Sequence, residues 1–579
     1  MVLHLSPGLA AGRGRFSPNG WDAAAFLLLV AAFVLAAHGA RETLAPLSAV
    51  RDGTVSLSPL LLPEYALRTT LRMFAAIAVS LVFALAYGAL CAKSRRAGIV
   101  LIPLLDLLQS VPILGFLSFT VAGFMALFPG RALGAECAAV FAIFTSQAWN
   151  MAFSVYQSLR MLPADLVEAC RSFRLSGWQR FWRLELPFAM PGLVWNTMMS
   201  MSGGWFFVVA AEAISVGDRR LNLPGVGSYL ARAITERNLA AVGWAVLTMF
   251  LVILAYDQML FRPLVAWADK FRFDLSPGQD APESWMLRLL QRTRLLRTAF
   301  GPVARLLDRT TRARFARPAE AQRPRPDGAR TSRLADAAWL VLILAACAWA
   351  ALTDVRFVVS ELAPAEILHA FGLGLLTMAR VLLLIAIASL VWVPVGVWVG
   401  LRVRLAERVQ LLAQFLAAFP ANLVFPLAVV GIVRFGLDPD IWLSPLMALG
   451  TQWYILFNVI AGAGAFPADL RDAAKGLRIR DRLWWTKVIL PGIFPYYVTG
   501  GITACGGSWN ASIVAEVATW GDTTLTAHGI GAYIAEATQA GDYPRLVLGI
   551  TVMSVLVILG NRVIWRPMYA FAARRLNLG

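Results

Sequence analysis

Three observations predict an all-α polytopic membrane protein of two tandem six-helix halves, about 12 transmembrane helices: an apolar composition, regularly recurring apolar runs between arginine clusters, and an internal duplication. Of the 579 residues, 59% are hydrophobic and 15% charged, against roughly 45 to 50% and about 25% in a typical soluble domain. A mean hydropathy of +0.65 excludes an ordinary soluble enzyme, whose surface needs many more charges.

A bilayer core of about 30 Å requires about 20 apolar residues per helix. Runs of this kind cover 21–40, 73–92, 97–130, 132–159, 186–211, 238–261, 337–353, 370–401, 409–433, 441–468, 488–515 and 546–561. Pro103 and Pro112 interrupt the third. The 52 Lys and Arg against 34 Asp and Glu are positive-inside loops rather than a nucleic-acid surface, because no aromatic interleaving or binding motif accompanies them. Counting from a basic N-terminus (Arg13, Arg15), every cluster falls on one side: Lys93 to Arg96, Arg160 to Arg183, 262–335, Arg402 to Arg408, 469–487 and Arg566 to Arg575. That side is the cytoplasm. The first run is read as a retained helix rather than a signal peptide.

A shift of 304 residues superposes Pro163-Ala164-Asp165-Leu166 on Pro467-Ala468-Asp469-Leu470, then Arg174 on Arg478, Pro187 on Pro491, Trp205 on Trp509, Glu212 on Glu516, and Gly225, Gly227 and Tyr229 on Gly529, Gly531 and Tyr533. Earlier in each half the shift is 308, pairing Arg72 with Arg380, Gly88 with Gly396 and Pro112 with Pro420. A six-helix unit has been duplicated and fused with both copies the same way up. The join, with thirteen arginines from Arg288 to Arg333, reads as a cytoplasmic linker. Its piece 284–309 is either an amphipathic helix on anionic lipid or a solvated tether.

The loop between the fourth and fifth runs is the best-matched part of the copies. It holds Asp165, Glu168, Ala169, Cys170 and an aromatic block at Trp178 to Trp182 in the first, and Asp472, Ala473, Ala474 and Trp484, Trp485 in the second. A short surface helix here would either anchor at the interface or present a knob to a partner.

These loops resemble the EAA motif of binding-protein-dependent ABC importer permeases. Glu168, Ala169, Cys170 with Leu186, Pro187, and Asp472, Ala473, Ala474 with Leu490, Pro491 carry the match. Where that family has Gly the chain has Arg174 and Arg478, which puts the local turn in question. The chain is most similar to the duplicated, fused form of the nitrate, sulfonate and taurine-type anion permeases. The resemblance implies two type I importer transmembrane domains at 66–263 and 370–567. Around them lie 1–65 (tail, first helix and periplasmic loop), the linker 264–335, an extra helix and loop at 336–369, and the tail 568–579. It further implies a bacterial inner-membrane permease with cytoplasmic termini, importing a small solute of nitrate- or sulfonate-like anionic type. Its loops would couple to two cytoplasmic ABC ATPase subunits, and a periplasmic or lipid-anchored binding protein would deliver the solute.

No Gly-rich phosphate loop precedes Lys93, Lys270, Lys475 or Lys487, so the chain itself is not an ATPase of that kind. ATP and Mg belong to the partners, and the chain is expected to bind no cofactor or metal, its five cysteines and four histidines showing no ligand spacing. Ionisable groups in apolar runs suggest a pathway. Arg72, Arg380, Glu212 and Glu516 are the candidates, with structural pairing between Arg and Glu as the alternative. Asp106, Glu136 and Asp257 are taken as one-half features that pack helices, and His369 as a packed helix residue. Gly203, Gly204, Gly506 and Gly507 allow close contact or a hinge. The rival reading is a twelve-helix secondary transporter driven by an ion gradient. A membrane enzyme lacks a nucleophile or metal constellation.

Overall fold

The computed structural model describes residues 55–108, 113, 117–216, 219–271, 284–293, parts of 301–313, and 329–575. Among them, seven helices are long and apolar enough to cross a membrane, or eight if the pair Pro439–Leu449 and Trp453–Gly464, bent by 42°, is one span. Among the described residues every expected run contains helix; the run 21–40 lies outside them.

In the first half α1 (Leu62–Lys93) is followed by α2 (Arg95–Leu108), α3 (Leu117–Leu127), α4 (Leu133–Arg160), the short α5 (Ala164–Ser172) and α6 (Gly177–Arg180), and the long α7 (Leu186–Glu212). A hairpin β1–β2 (Ala213–Val216, Arg219–Asn222), α8 (Val226–Thr235), α9 (Leu239–Tyr256) and α10 (Arg262–Ala268) complete it. The linker contributes α11 (Trp285–Arg292) and the extra helix α12 (Ala329–Glu361). The second half repeats the plan with α13 (Pro364–Gly400), α14 (Val403–Ala418), α15 (Phe425–Phe435), α16 (Pro439–Trp442), α17 (Ser444–Leu449) and α18 (Trp453–Gly464). It continues through α19 (Ala468–Gly476), α20 (Asp481–Leu483), α21 (Leu490–Ala515), the hairpin β3–β4 (Val517–Trp520, Thr523–Thr526), α22 (Ile530–Ala540), α23 (Tyr543–Gly560) and α24 (Arg566–Arg575).

One run expected as a single span is broken. The 409–433 run is α14 and α15 joined through Phe419 (φ −69, ψ 125) and Pro420, with one tight turn at Ala421–Leu423. Proline has no N–H to continue the helix and pushes its predecessor into extended backbone. In the 97–130 run, Pro103 lies inside α2 and does not interrupt it, contrary to expectation, while Pro112 lies outside the described residues, between α2 and α3.

The halves share a core. Ile113, Ala135, Ala142 and Phe207 of the first pack in one cluster with Ile385, Val459, Trp509 and Ile530 of the second. Ala418 and Leu423, at the break of the second half, pack into the first half's cluster around Met73, Trp205 and Tyr229. At the periphery, the apolar length of α12 has no buried residue in its central window, as a lipid-facing helix would.

The linker reading changes at α11. Met286 and Leu289 are buried, and α11 packs on α10, so its apolar face lies on protein rather than outward. His369 is exposed rather than packed.

Candidate functional site

The twin loops fold alike. Helix α5 begins at Pro163 (φ −57, ψ 136) and α19 at Pro467 (φ −57, ψ 133), each closed by the same turn. In the first, Leu175 N donates to Cys170 O (3.1 Å) and Arg174 N to Arg171 O (2.9 Å); in the second, Ile479 N donates to Ala474 O (2.9 Å) and Arg478 N to Lys475 O (3.0 Å). This is the Schellman arrangement, whose penultimate residue must be left-handed. Arg174 (φ 50) and Arg478 (φ 54) adopt that conformation. The turn in question is therefore formed, with arginine in the place of glycine.

Glu168, Ala169, Asp472, Ala473 and both arginines are exposed, Cys170 is half-buried and Ala474 buried. Burial pushes the Cys170 thiol up, so it stays protonated and acts as a small packing group. Pro187 and Pro491 are the second residues of α7 and α21, directly after a π turn that continues the helix from the loop. One π turn, Phe181–Glu185 or Trp484–Ile489, joins each loop to that helix.

The loops are pinned differently. Buried Glu185 meets Lys93 (2.6 Å) and Arg180 (2.7 Å), and a capping box links Ser176 and Gln179. Trp484 and Ile489 occupy the corresponding positions of the second half. The Trp178 indole N–H donates to Thr310 O of the linker at 2.8 Å.

At the opposite end of the spans lie the four pathway candidates, in two equivalent clusters. Arg72 donates Nε and Nη2 to Glu136 (2.6 and 2.7 Å), and Nη1 to Glu212 (2.7 Å) and Pro224 O (3.0 Å). Arg380 donates to Asp440 (2.8 Å) and His528 O (2.5 Å), and lies 3.8 Å from Glu516. Glu136 and Asp440 are 304 apart, as are Pro224 and His528. Glu136 is thus no one-half feature: the same shift that relates the glutamates relates the second acids.

Each cluster sets one arginine between two carboxylates, so neither guanidinium is left as an open anion contact. Glu212 accepts from Gly227 N (2.7 Å), and Glu516 from Ala532 N (3.0 Å) and Thr377 (2.7 Å). A Cβ on Gly225 or Gly529 would fall within 2.3 Å of these carboxylate groups, which accounts for the paired glycines. Asp257 instead ties the last helix of the first half to its own Arg262 (3.3 Å) and, across the seam, to Gln414 (3.4 Å).

The broken helices meet the opposite half. Ile113 N donates to Asn510 Oδ1 (2.8 Å), and Asn422 Nδ2 donates to Phe206 O (3.3 Å). Residues 206 and 510 are 304 apart, so each break touches the same position of the other half's fifth helix. Between α7, the 417–421 break, α17, α18 and α21 lies a small cavity of about 70 Å³, partly open to the surroundings and lined among others by Phe206, Phe419, Met447 and Tyr454. Gly203 and Gly507 both line it, whereas Gly204 serves close contact, since a Cβ there would meet Gln147 at 2.5 Å. Sequence reasoning missed Phe206, Asn422, Tyr454 and Asn510. The available signal was the Pro112 and Pro420 pair, a helix breaker within an apolar run.

Residues 84–260 and 392–575 each match the family described as binding-protein-dependent transport system inner membrane component. The bicarbonate transport system permease protein CmpB of Synechococcus elongatus is 30% identical over 178 residues, 31% of this chain and 60% of that protein. The nitrate import permease protein NrtB of Leptolyngbya laminosa is 26% identical over 177 residues, 31% and 60%. The putative aliphatic sulfonates transport permease protein SsuC of Bacillus subtilis is 26% identical over 175 residues, 30% and 60%. The chain spans about 60% of the length of these relatives. No solved structure matches it.

Proposed function

Because the chain belongs to the family of binding-protein-dependent transport system inner membrane components, we propose that it is the fused permease subunit of an ATP-driven ABC importer. It carries a small solute of the nitrate- or sulfonate-like class across the inner membrane. The carrying observation is the twin loop: two exposed helices of one design, each closed by a left-handed arginine and each joined through a π turn to the fifth span. A single interfacial anchor has no need of two such copies.

On this reading α5 and α19 each seat in a cytoplasmic ABC ATPase subunit, where ATP and Mg are bound. Glu168, Ala169, Cys170 and Arg174 face one subunit and Asp472, Ala473, Ala474 and Arg478 the other, with Pro187 and Pro491 starting the helices that transmit the motion. A periplasmic or lipid-anchored binding protein delivers the solute at the other face, and both termini are cytoplasmic. Arg72, Arg380, Glu212 and Glu516 are positioning residues that hold the outer end of each fifth helix against the second, replacing a role as anion contacts.

The test is co-purification of the tagged chain from its native membrane, alone and with Glu168→Arg and Asp472→Arg combined. Two ATPase subunits per chain, lost in the double variant, are expected. A chain that purifies alone and transports by an ion gradient would instead establish the secondary-transporter reading.

A further inference from the structure

We infer that the two loops carry motion unequally: the first forms one rigid body with the spans beside it, keyed by the buried carboxylate of Glu185, and the second is a compliant loop held by apolar packing. The inference rests on the permease reading and makes Glu185 a positioning residue for coupling. The short helices themselves are matched. Both α5 and α19 have nine residues, begin at a proline and close on a left-handed arginine. The difference lies behind them.

Glu185 stands in the π turn between the first loop and α7 and is 4% exposed. One carboxylate oxygen meets Arg180 Nε of α6 at 2.7 Å, and the other meets Lys93 Nζ, at the C-terminal end of α1, at 2.6 Å. Lys93 also lies over the Phe181 ring, 4.9 Å from its centroid. One side chain thus joins the loop, α1 and α7. The capping box of Ser176 and Gln179 and the Trp178 N–H to Thr310 O bond (2.8 Å) hold the same loop. The linker that supplies Thr310 is itself seated on the first half, since Met286, Leu289 and Thr293 are buried and α11 packs on α10.

In the second half each of these groups is replaced. By the shift of 304, Arg480 stands for Ser176, Arg482 for Trp178, Trp484 for Arg180 and Ile489 for Glu185; by the shift of 308, Leu401 stands for Lys93. Arg480 gives α20 no side-chain cap, and Trp484 and Trp485 pack against the shared apolar core. Apolar contact is non-directional and follows area, so it tolerates sliding and rocking. A buried carboxylate between two cations does not, because it is left uncompensated as soon as either moves away. A push on the first loop therefore moves α1 and α7 together, whereas a push on the second reaches α21 and is partly absorbed on the way.

The experiment is hydrogen exchange of the purified full chain in detergent, followed by mass spectrometry on peptides covering 166–180 and 470–484 and corrected for intrinsic sequence effects. Because the two helices match in length and caps, the comparison is internal and needs no variant. Amides of the first loop are expected to exchange about tenfold slower, the effect of one charge-assisted hydrogen bond that must open. Glu185→Gln, of the same shape, should bring the first loop to the rate of the second. Trp178→Phe, which releases the linker carbonyl, should remove part of the difference. Both should leave the second loop and α21 unchanged, whereas a general loss of stability would speed exchange everywhere. Equal rates in the parent chain, or a rise throughout Glu185→Gln, overturn the proposal. In the co-purified complex Glu185→Gln should keep two ATPase subunits bound, since the carboxylate is buried behind the loop, and lower ATP turnover per subunit about fivefold. Unchanged turnover would overturn the role in transmission. Absence of ATPase subunits from the parent chain would overturn the permease reading instead and leave the exchange comparison standing.

Discussion

Replacing Arg72 with methionine removes the cation that holds two carboxylates together, and the structure gives the size of the effect. Arg72 is 5% exposed and Glu212 fully buried, with contacts of 2.6 Å to Glu136 and 2.7 Å to Glu212. Deleting one member of a buried ion cluster costs about 3 to 5 kcal/mol, because the remaining charge stays unpaired. The equivalent Arg380→Met should cost less, on the order of 1 to 3 kcal/mol. Arg380 is 13% exposed, its partner Asp440 is 35% exposed, and Glu516 lies 3.8 Å away with Thr377 and a backbone N–H of its own. Adding Glu212→Gln to Arg72→Met removes the orphaned charge and should return about 1 to 2 kcal/mol. The assay is thermal unfolding of the purified chain in detergent at one scan rate, followed by tryptophan fluorescence. An Arg72→Met protein within about 0.5 kcal/mol of the parent, or one more stable than Arg380→Met, would refute the positioning role.

Two further outcomes use the same assay. Left-handed backbone costs a non-glycine residue roughly 1 to 2 kcal/mol, and glycine's greater chain entropy returns about 0.5 to 1, so Arg174→Gly and Arg478→Gly should each stabilise by about 0.5 to 1 kcal/mol. Arg174→Val should destabilise, and a more stable valine variant would contradict the turn described. Gly225→Val, forced against the Glu212 carboxylate, should cost about 1 to 3 kcal/mol or more. Gly243→Ala, with nothing within 4 Å of the added Cβ, should be neutral or stabilising, and equal losses at the two sites would overturn the account of the glycine pairing.

Much of the architecture was legible because it is written locally. A span is an apolar run, a basic loop is a charge cluster, and a duplication is a repeated spacing, so the helices, the two halves and the twin loops follow from the chain alone. The same shift of 304 also contained the pairing of Glu136 with Asp440, which a comparison restricted to identical residues passes over because the acids differ. The left-handed arginines were visible as a departure from the glycine of the resembled motif, but their backbone conformation became clear only from the closed turn around them.

What only the tertiary structure decided is which apolar surface faces which. Phe206, Phe419, Met447 and Tyr454 read in the chain like residues that face lipid, because a partner helix and the acyl chains are both apolar and leave the same pattern. Ile113 and Asn510 are 397 positions apart, and no local periodicity records that a proline break in one half seeks a carbonyl-bearing amide in the other. The arginines' partners are found the same way: an arginine in an apolar run announces a cost, and only the fold brings two carboxylates around it.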